Sequence, residues 1–295
     1  MRSDRQSRSP KFPAVISAGL LHTAAGGTWP GVGLLALLGA VLRRIPGAGR
    51  CHGGWGKYAQ GLWSIFVAAQ VLSWTGSCWE DGAAAVWAPA VLLAVALWLA
   101  AKGPDALGNA AGVLGLLQLG LAGAVLLTAM GEIRLPNLTP GLIWPGGWLL
   151  VLLLLPEEGK RKSLAAPWAV LCSLVTVGVL GYVGENGFYE MSRSISFFGA
   201  VKRLEALAAV GLTAGFVVLL AKLLELASAG GKYWPGAVAA YVLFRSGVLI
   251  PGIYAAGISV ILWCLLPAFL QSKNNRTNEV EMTRKNVKSR KRNLF

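Results

Sequence analysis

The residues of this 295-residue chain that could do chemistry are few, and they lie in apolar surroundings. Lys202, Arg203 and Glu205 stand at the start of a long apolar stretch. Lys202 and Glu205 are three apart and can pair on one helical face, which leaves Arg203 to point toward a neighbour or a ligand. Charge inside a bilayer is costly and marks ligand, ion or proton sites, the alternative being an interfacial anchor that only sets helix depth. Arg245, between Phe244 and Ser246, is a second position of this kind. No carboxylate pair, nucleophile–base set or phosphate-cradling glycine motif accompanies them, so an enzyme is the least expected class. Cys51, Cys78, Cys172 and Cys264 contain no Cys-x-x-Cys pair, which suggests packing residues rather than a zinc site or disulfide framework. His22 and His52 lack the spacing of metal ligands, so neither a metal nor a cofactor is expected.

A second kind of site needs no charge. Leu142-Ile143-Trp144-Pro145-Gly146-Gly147-Trp148 opens an apolar run that ends at Pro156, too short for a straight spanning helix. Residues 12–43 are likewise too long for one helix and too short for two complete ones, with Gly26, Gly27 and Pro30 supplying a break. Transporters use such discontinuous helices to bare backbone donors and carbonyls to a small zwitterion or an ion; an ordinary loop before a short span is the competing reading. Two interrupted segments in corresponding halves fit an inverted repeat.

These residues would be held by a polytopic all-α bundle. Hydrophobic types make up 55% of the chain and charged types 14%, against roughly a quarter charged in soluble domains. A membrane span needs about 20 mostly apolar residues, because every amide in hydrocarbon must pair within its own helix. Such segments recur near 30–43, 58–78, 84–101, 107–130, 142–156, 164–183, 199–227, 233–250 and 252–270, with a weaker piece at 12–27. The expectation is 9–10 transmembrane helices, with a truncated or broken first one.

Basic residues collect on alternate connections, as the positive-inside rule requires. Arg43, Arg44, Arg50 and Lys57 mark one cytoplasmic loop, Glu80 and Asp81 an external one, and Lys160, Arg161 and Lys162 a later cytoplasmic one, while Lys222 and Lys232 flank a cytoplasmic turn. The ends 1–12 and 271–295 carry 12 of the 27 Lys and Arg, and the tail directly follows an apolar stretch. Anionic lipid explains that basicity better than nucleic acid. Arg2, Arg5, Arg8 and Lys11 precede a weak apolar segment without a tidy cleavage site, so no cleavable signal peptide is expected. Trp55, Trp63, Trp74, Trp79, Trp144, Trp148, Trp234 and Trp263 fall near span ends, as an interfacial aromatic belt would. Gly108, Gly112, Gly115, Gly120 and Gly123 would allow close helix packing.

The stretch Arg193-Ser194-Ile195-Ser196-Phe197-Phe198-Gly199-Ala200-Val201-Lys202-Arg203-Leu204-Glu205-Ala206-Leu207 resembles a family pattern of Arg-x-Ile, Gly and Arg-x-Glu leading into an eighth helix. The family is the B-subunit permeases of spore-germination receptors, a branch of the amino acid–polyamine–organocation (APC) transporter superfamily. Looser matches are Lys102-Gly103-Pro104-Asp105-Ala106-Leu107, Asn137-Leu138-Thr139-Pro140-Gly141 and the Leu-rich run closing at Pro156. Together they cover most of 27–270. The chain departs from the pattern at Lys202, where the family has Glu, at Leu212, where it has Trp, and at Asn109, where it has Arg, and its first helix looks shortened.

The resemblance implies a LeuT-like inverted repeat with a ligand site between broken first and sixth helices. The candidate ligand-binding residues are then Gly26, Gly27, Pro145, Gly146, Gly147, Arg203 and Glu205. The expected function is a germination-receptor permease-like subunit that binds an amino acid-like germinant and signals to partner membrane subunits. An amino acid transporter coupled to H+ or Na+, and a membrane scaffold without ligand, are the alternatives. The expected organisation is a basic cytoplasmic N-terminus at 1–11, a transmembrane domain at 12–270 and a basic, disordered cytoplasmic tail at 271–295. The partners would be the lipid bilayer, other receptor subunits and the ligand. The compartment would be a bacterial inner membrane, that of the spore included.

Overall fold

A computed structural model describes residues 38–39, 41–42, 44–51, 54–77, 82–129, 147–155, 204–228, 231–248 and 250–272. Every regular element among them is a helix: α1 (Gly54–Ser77), α2 (Gly82–Ala101), α3 (Pro104–Ala129), α4 (Gly147–Leu154), α5 (Leu204–Ser228), α6 (Trp234–Arg245) and α7, which starts as an α-helix at Gly252–Val260, widens to a π-turn at Ile261–Leu265 and continues to Ser272. Residues 38–39 and 41–42 are helical as well. The described elements overlap the expected apolar segments, with shifted ends. α1 begins at Gly54 rather than 58, and α6 stops at Arg245 rather than 250, where Ser246 and a left-handed Gly247 (φ 68°) end the helix.

Local sequence explains the α2–α3 corner. Gly103 adopts φ 91°, which a side chain would resist, and Pro104 opens α3 at a position where no amide hydrogen is needed. Lys102 folds back so that its ammonium lies 5.5 Å from the centre of the Trp98 ring.

α5 is the hub. It packs against α1, α2, α3 and α6, and from Phe216 to Leu224 every side chain is buried whichever way it points. A helix apolar all round has no face to give to water, so neighbours must surround it. α3 also packs on α5, and Gly108, Ala111, Gly112 and Gly115 form a buried stripe of small residues along it at helical spacing. α4 is also buried throughout the described Leu150–Leu155 and packs on α7.

Close backbone approaches fix the ends. A Cβ on Gly61 would lie 3.3 Å from the Ala227 carbonyl oxygen, and one on Gly56 would lie 3.1 Å from Leu270. The start of α1, the end of α5 and the end of α7 therefore share one end of the bundle. Arg44, Arg50, Lys57, Lys222 and Lys232 gather there with the last described residue, Ser272.

The exterior is unusual in its chemistry. Trp87, Val91, Val95 and Trp98 on α2, Trp234, Val238 and Val242 on α6, and Ile261, Leu265 and Phe269 on α7 form exposed apolar stripes. On α1, Trp55, Tyr58 and Leu62 face outward while Gln60, Ser64, Gln70 and Thr75 are buried. By length and hydropathy together, one described helix, Gly252–Ser272, with mean hydropathy 2.1, can cross a membrane; Trp87–Ala101 is a shorter apolar helix.

The contrast between hub and exterior is testable by thermal melts of the purified chain. Phe216→Ala leaves a cavity in fully packed surroundings and costs about 3 kcal/mol or more. Val91→Ala, on the outer stripe, stays within about 0.5 kcal/mol of the parent.

Candidate functional site

The site grows from one proline. Pro267 has no amide hydrogen, so the carbonyl of Trp263, four residues earlier, loses its helical donor. The preceding turn widens instead: the Leu266 amide donates to the carbonyl of Ile261, five residues back, which leaves the Leu262 carbonyl without it as well. Two carbonyls in the interior must then find donors elsewhere or remain costly orphans.

Both donors come from residues more than 200 positions earlier. Gln60 Nε2 donates to the Leu262 oxygen at 2.7 Å, and the Gly49 amide donates to the Trp263 oxygen at 2.8 Å. The same Gln60 Nε2 donates to the Gly49 oxygen at 3.0 Å, and Gln60 Oε1 accepts from the Cys51 amide at 2.8 Å. One buried carboxamide thus ties the loop, α1 and the π-turn together. One helical turn on, the Trp63 indole donates to Ser259 Oγ at 2.9 Å. Among the described residues, Trp263 Nε1 is the buried side-chain polar atom with no hydrogen-bond partner.

Arg50, between the two tethered loop residues, reaches the end of α5. Its Nη1 lies 3.8 Å from Glu225 Oε1, and Lys222 Nζ donates to Glu225 Oε2 at 2.9 Å. Lys222 is only 6% exposed, so the pair must hold its charge in a poorly hydrated place. Gly49, Arg50 and Cys51 therefore dock in succession onto α7, α5 and α1. Burial pushes the Cys51 thiol's pKa up, which keeps it protonated and unreactive at neutral pH. Among the described residues no group of three or more His, Cys, Asp or Glu could hold a metal ion.

Most residues expected at the ligand site are not among the described ones. Gly26, Gly27, Pro145, Gly146 and Arg203 fall outside the described residues, as does Lys202. Gly147 is the first residue of α4 and Glu205 the second of α5. One link between the two interrupted segments is described: a Cβ on Gly39 would sit 3.2 Å from Leu153 Cβ and 3.5 Å from Leu150 Cδ1, so Gly39 lies directly against α4.

Lys222, expected beside a cytoplasmic turn, is a buried ion-pair partner, a role its i,i+3 spacing to Glu225 allows. One expectation needs correction. Trp63 and Trp263 are core residues rather than belt residues, whereas Trp55 and Trp234 are exposed. Arg245 is exposed in the last turn of α6, where a cation complements the helix dipole. Gln60, Gly49 and Arg50 were missed as site residues, although Pro267 inside an apolar helix marks where outside donors are required.

No known protein family matches the chain, and no curated protein shows significant similarity to it.

Two substitutions probe the tether. Gln60→Leu keeps the bulk but strands the backbone partners of the carboxamide, at about 1–3 kcal/mol for each group that water does not reach. Glu225→Gln leaves Lys222 buried without its carboxylate and costs about 3–5 kcal/mol; the double variant Lys222→Met/Glu225→Leu recovers much of that loss. Denaturant midpoints of the purified variants check both.

Proposed function

We propose that the chain is a polytopic membrane bundle working as a permease-like, ligand-sensing subunit, in the manner of the germination-receptor permeases that the 193–207 motif resembles. The observation that carries the reading is the contact of Gly39 with Leu150 and Leu153. It brings together the described parts of the two segments whose Gly and Pro content reads as discontinuous helices, and such pairs frame the binding site of inverted-repeat transporters. The ligand class is a small amino acid-like zwitterion, which half-helix ends and freed carbonyls can bind without a dense charge cluster.

The membrane part of the reading rests on the exposed apolar stripes, to which Trp55, Tyr58 and Leu62 of α1 also contribute. Soluble monomers rarely expose contiguous apolar surface of this kind. Only 39% of the most apolar window of Gly252–Ser272 is buried, unlike the core helix of a soluble protein. The gathered cations at one end support a cytoplasmic assignment for that end and for the tail from Lys273 onward. α6, at 12 residues or about 18 Å, falls short of a full crossing by itself.

Reporter fusions in the 44–51 loop and after Ser272 are expected on the same, cytoplasmic face; opposite faces would sink the topology. A thermal-shift screen of the purified chain against amino acids and nucleosides is expected to give at least one stabilising ligand, and Gly39→Leu, which pushes the two segments apart, should abolish that shift. Ligand-independent melting across the whole screen would favour a scaffold role. Uptake of labelled amino acid into proteoliposomes under a proton or sodium gradient would favour the ion-coupled transporter.

A further inference from the structure

Between α1 and α6 lies an open groove of about 480 Å³ lined only by apolar side chains, among them Leu62, Phe66, Trp234, Val238 and Val242. Its volume falls within the range of ligand-sized clefts, roughly 300–1,000 Å³. Close packing sets the two helices beside it: Gly61 of α1 and Gly236 of α6 both approach Ala227 of α5, each with a would-be Cβ 3.3 Å from that residue. The walls stay uncovered: Leu62 is 62% exposed and Val242 59%.

We propose that this groove binds one acyl chain of an anionic phospholipid, whose phosphate headgroup rests against Lys232 and Lys57; this rests on the membrane reading given above. Lys232 stands two residues before the wall residue Trp234, and Lys57 stands five residues before Leu62, about 7.5 Å along the helix axis. Both cations are therefore at the same end of the groove, the end where Arg44 and Arg50 also gather. Trp55, Tyr58 and Trp234 are exposed at that level, where amphipathic rings favour the headgroup zone. Headgroup charge and chain apolarity thus match the two ends of one cleft. A protein partner fits less well: nine residues line the groove, against about 20–30 per side in a stable protein interface.

The test is native mass spectrometry of the full chain, purified in detergent and supplied with equimolar phosphatidylglycerol and phosphatidylcholine of identical acyl chains. The expected result is preferential retention of phosphatidylglycerol, with about a fivefold loss of that preference for each of Lys232→Gln and Lys57→Gln. Val238→Trp, which fills the groove from an exposed position, should remove retention of both lipids while circular dichroism and Tm stay at parent values. Equal retention of the two lipids, unchanged by the lysine variants, would overturn the proposal, and so would unaltered retention in Val238→Trp. A dimer that dissociates on Val238→Trp would also overturn it by assigning the groove to a second copy. Failure of the membrane reading itself is distinguishable, because the chain would then be released from membranes by alkaline carbonate without detergent.

Discussion

Trp263 and Leu262 have carbonyls that their own helix does not satisfy, and much of the described architecture answers that deficit. Pro267 removes one donor and the widened turn diverts another. In water such carbonyls would cost little, but in a packed interior each is worth a substantial fraction of the net stability of a fold. Gln60 and Gly49 supply the donors, and in doing so they fix where α1 and the 44–51 loop must lie relative to the last helix. A covalent feature of one residue thereby sets a contact across about two thirds of the chain.

The loop amplifies this constraint. With Gly49 held by α7 and Cys51 held by Gln60, Arg50 has little freedom, and its guanidinium approaches Glu225 beside Lys222. The charged cluster and the carbonyl cluster are therefore one assembly, built on three consecutive loop residues. Two cations around one carboxylate also account for a lysine inside α5, a helix otherwise surrounded by Leu, Val and Ala. Among the described residues the buried polar side chains Gln60, Ser64, Gln70, Thr75, Lys222 and Ser259 sit within a core that is otherwise apolar.

The helical segments were legible because their cause is local. A run such as 204–228 contains no proline and enough apolar side chains to need burial, so a helix is the local structure expected of it. Helix ends were less legible: α1 begins four residues earlier than hydropathy suggests, since Gly54, Trp55 and Lys57 are helical without being strongly apolar. Tryptophans were the least legible residues. The same side chain serves an interface at Trp55 and the core at Trp63, and only the neighbours across the helix decide which.

The amino-acid sequence alone determined that the described elements are helices, where most of them run and which connections carry cations, because hydrogen-bonding need and side-chain hydropathy act over a few neighbouring residues. The tertiary structure alone decided that Lys222 is buried, that Gln60 is the keystone of the loop, and that Gly39 rests on α4. Those facts depend on which atoms from distant segments come within about 3–4 Å of one another. Spacing along the chain does not encode such proximity unless both partners share a helix, as Lys222 and Glu225 do.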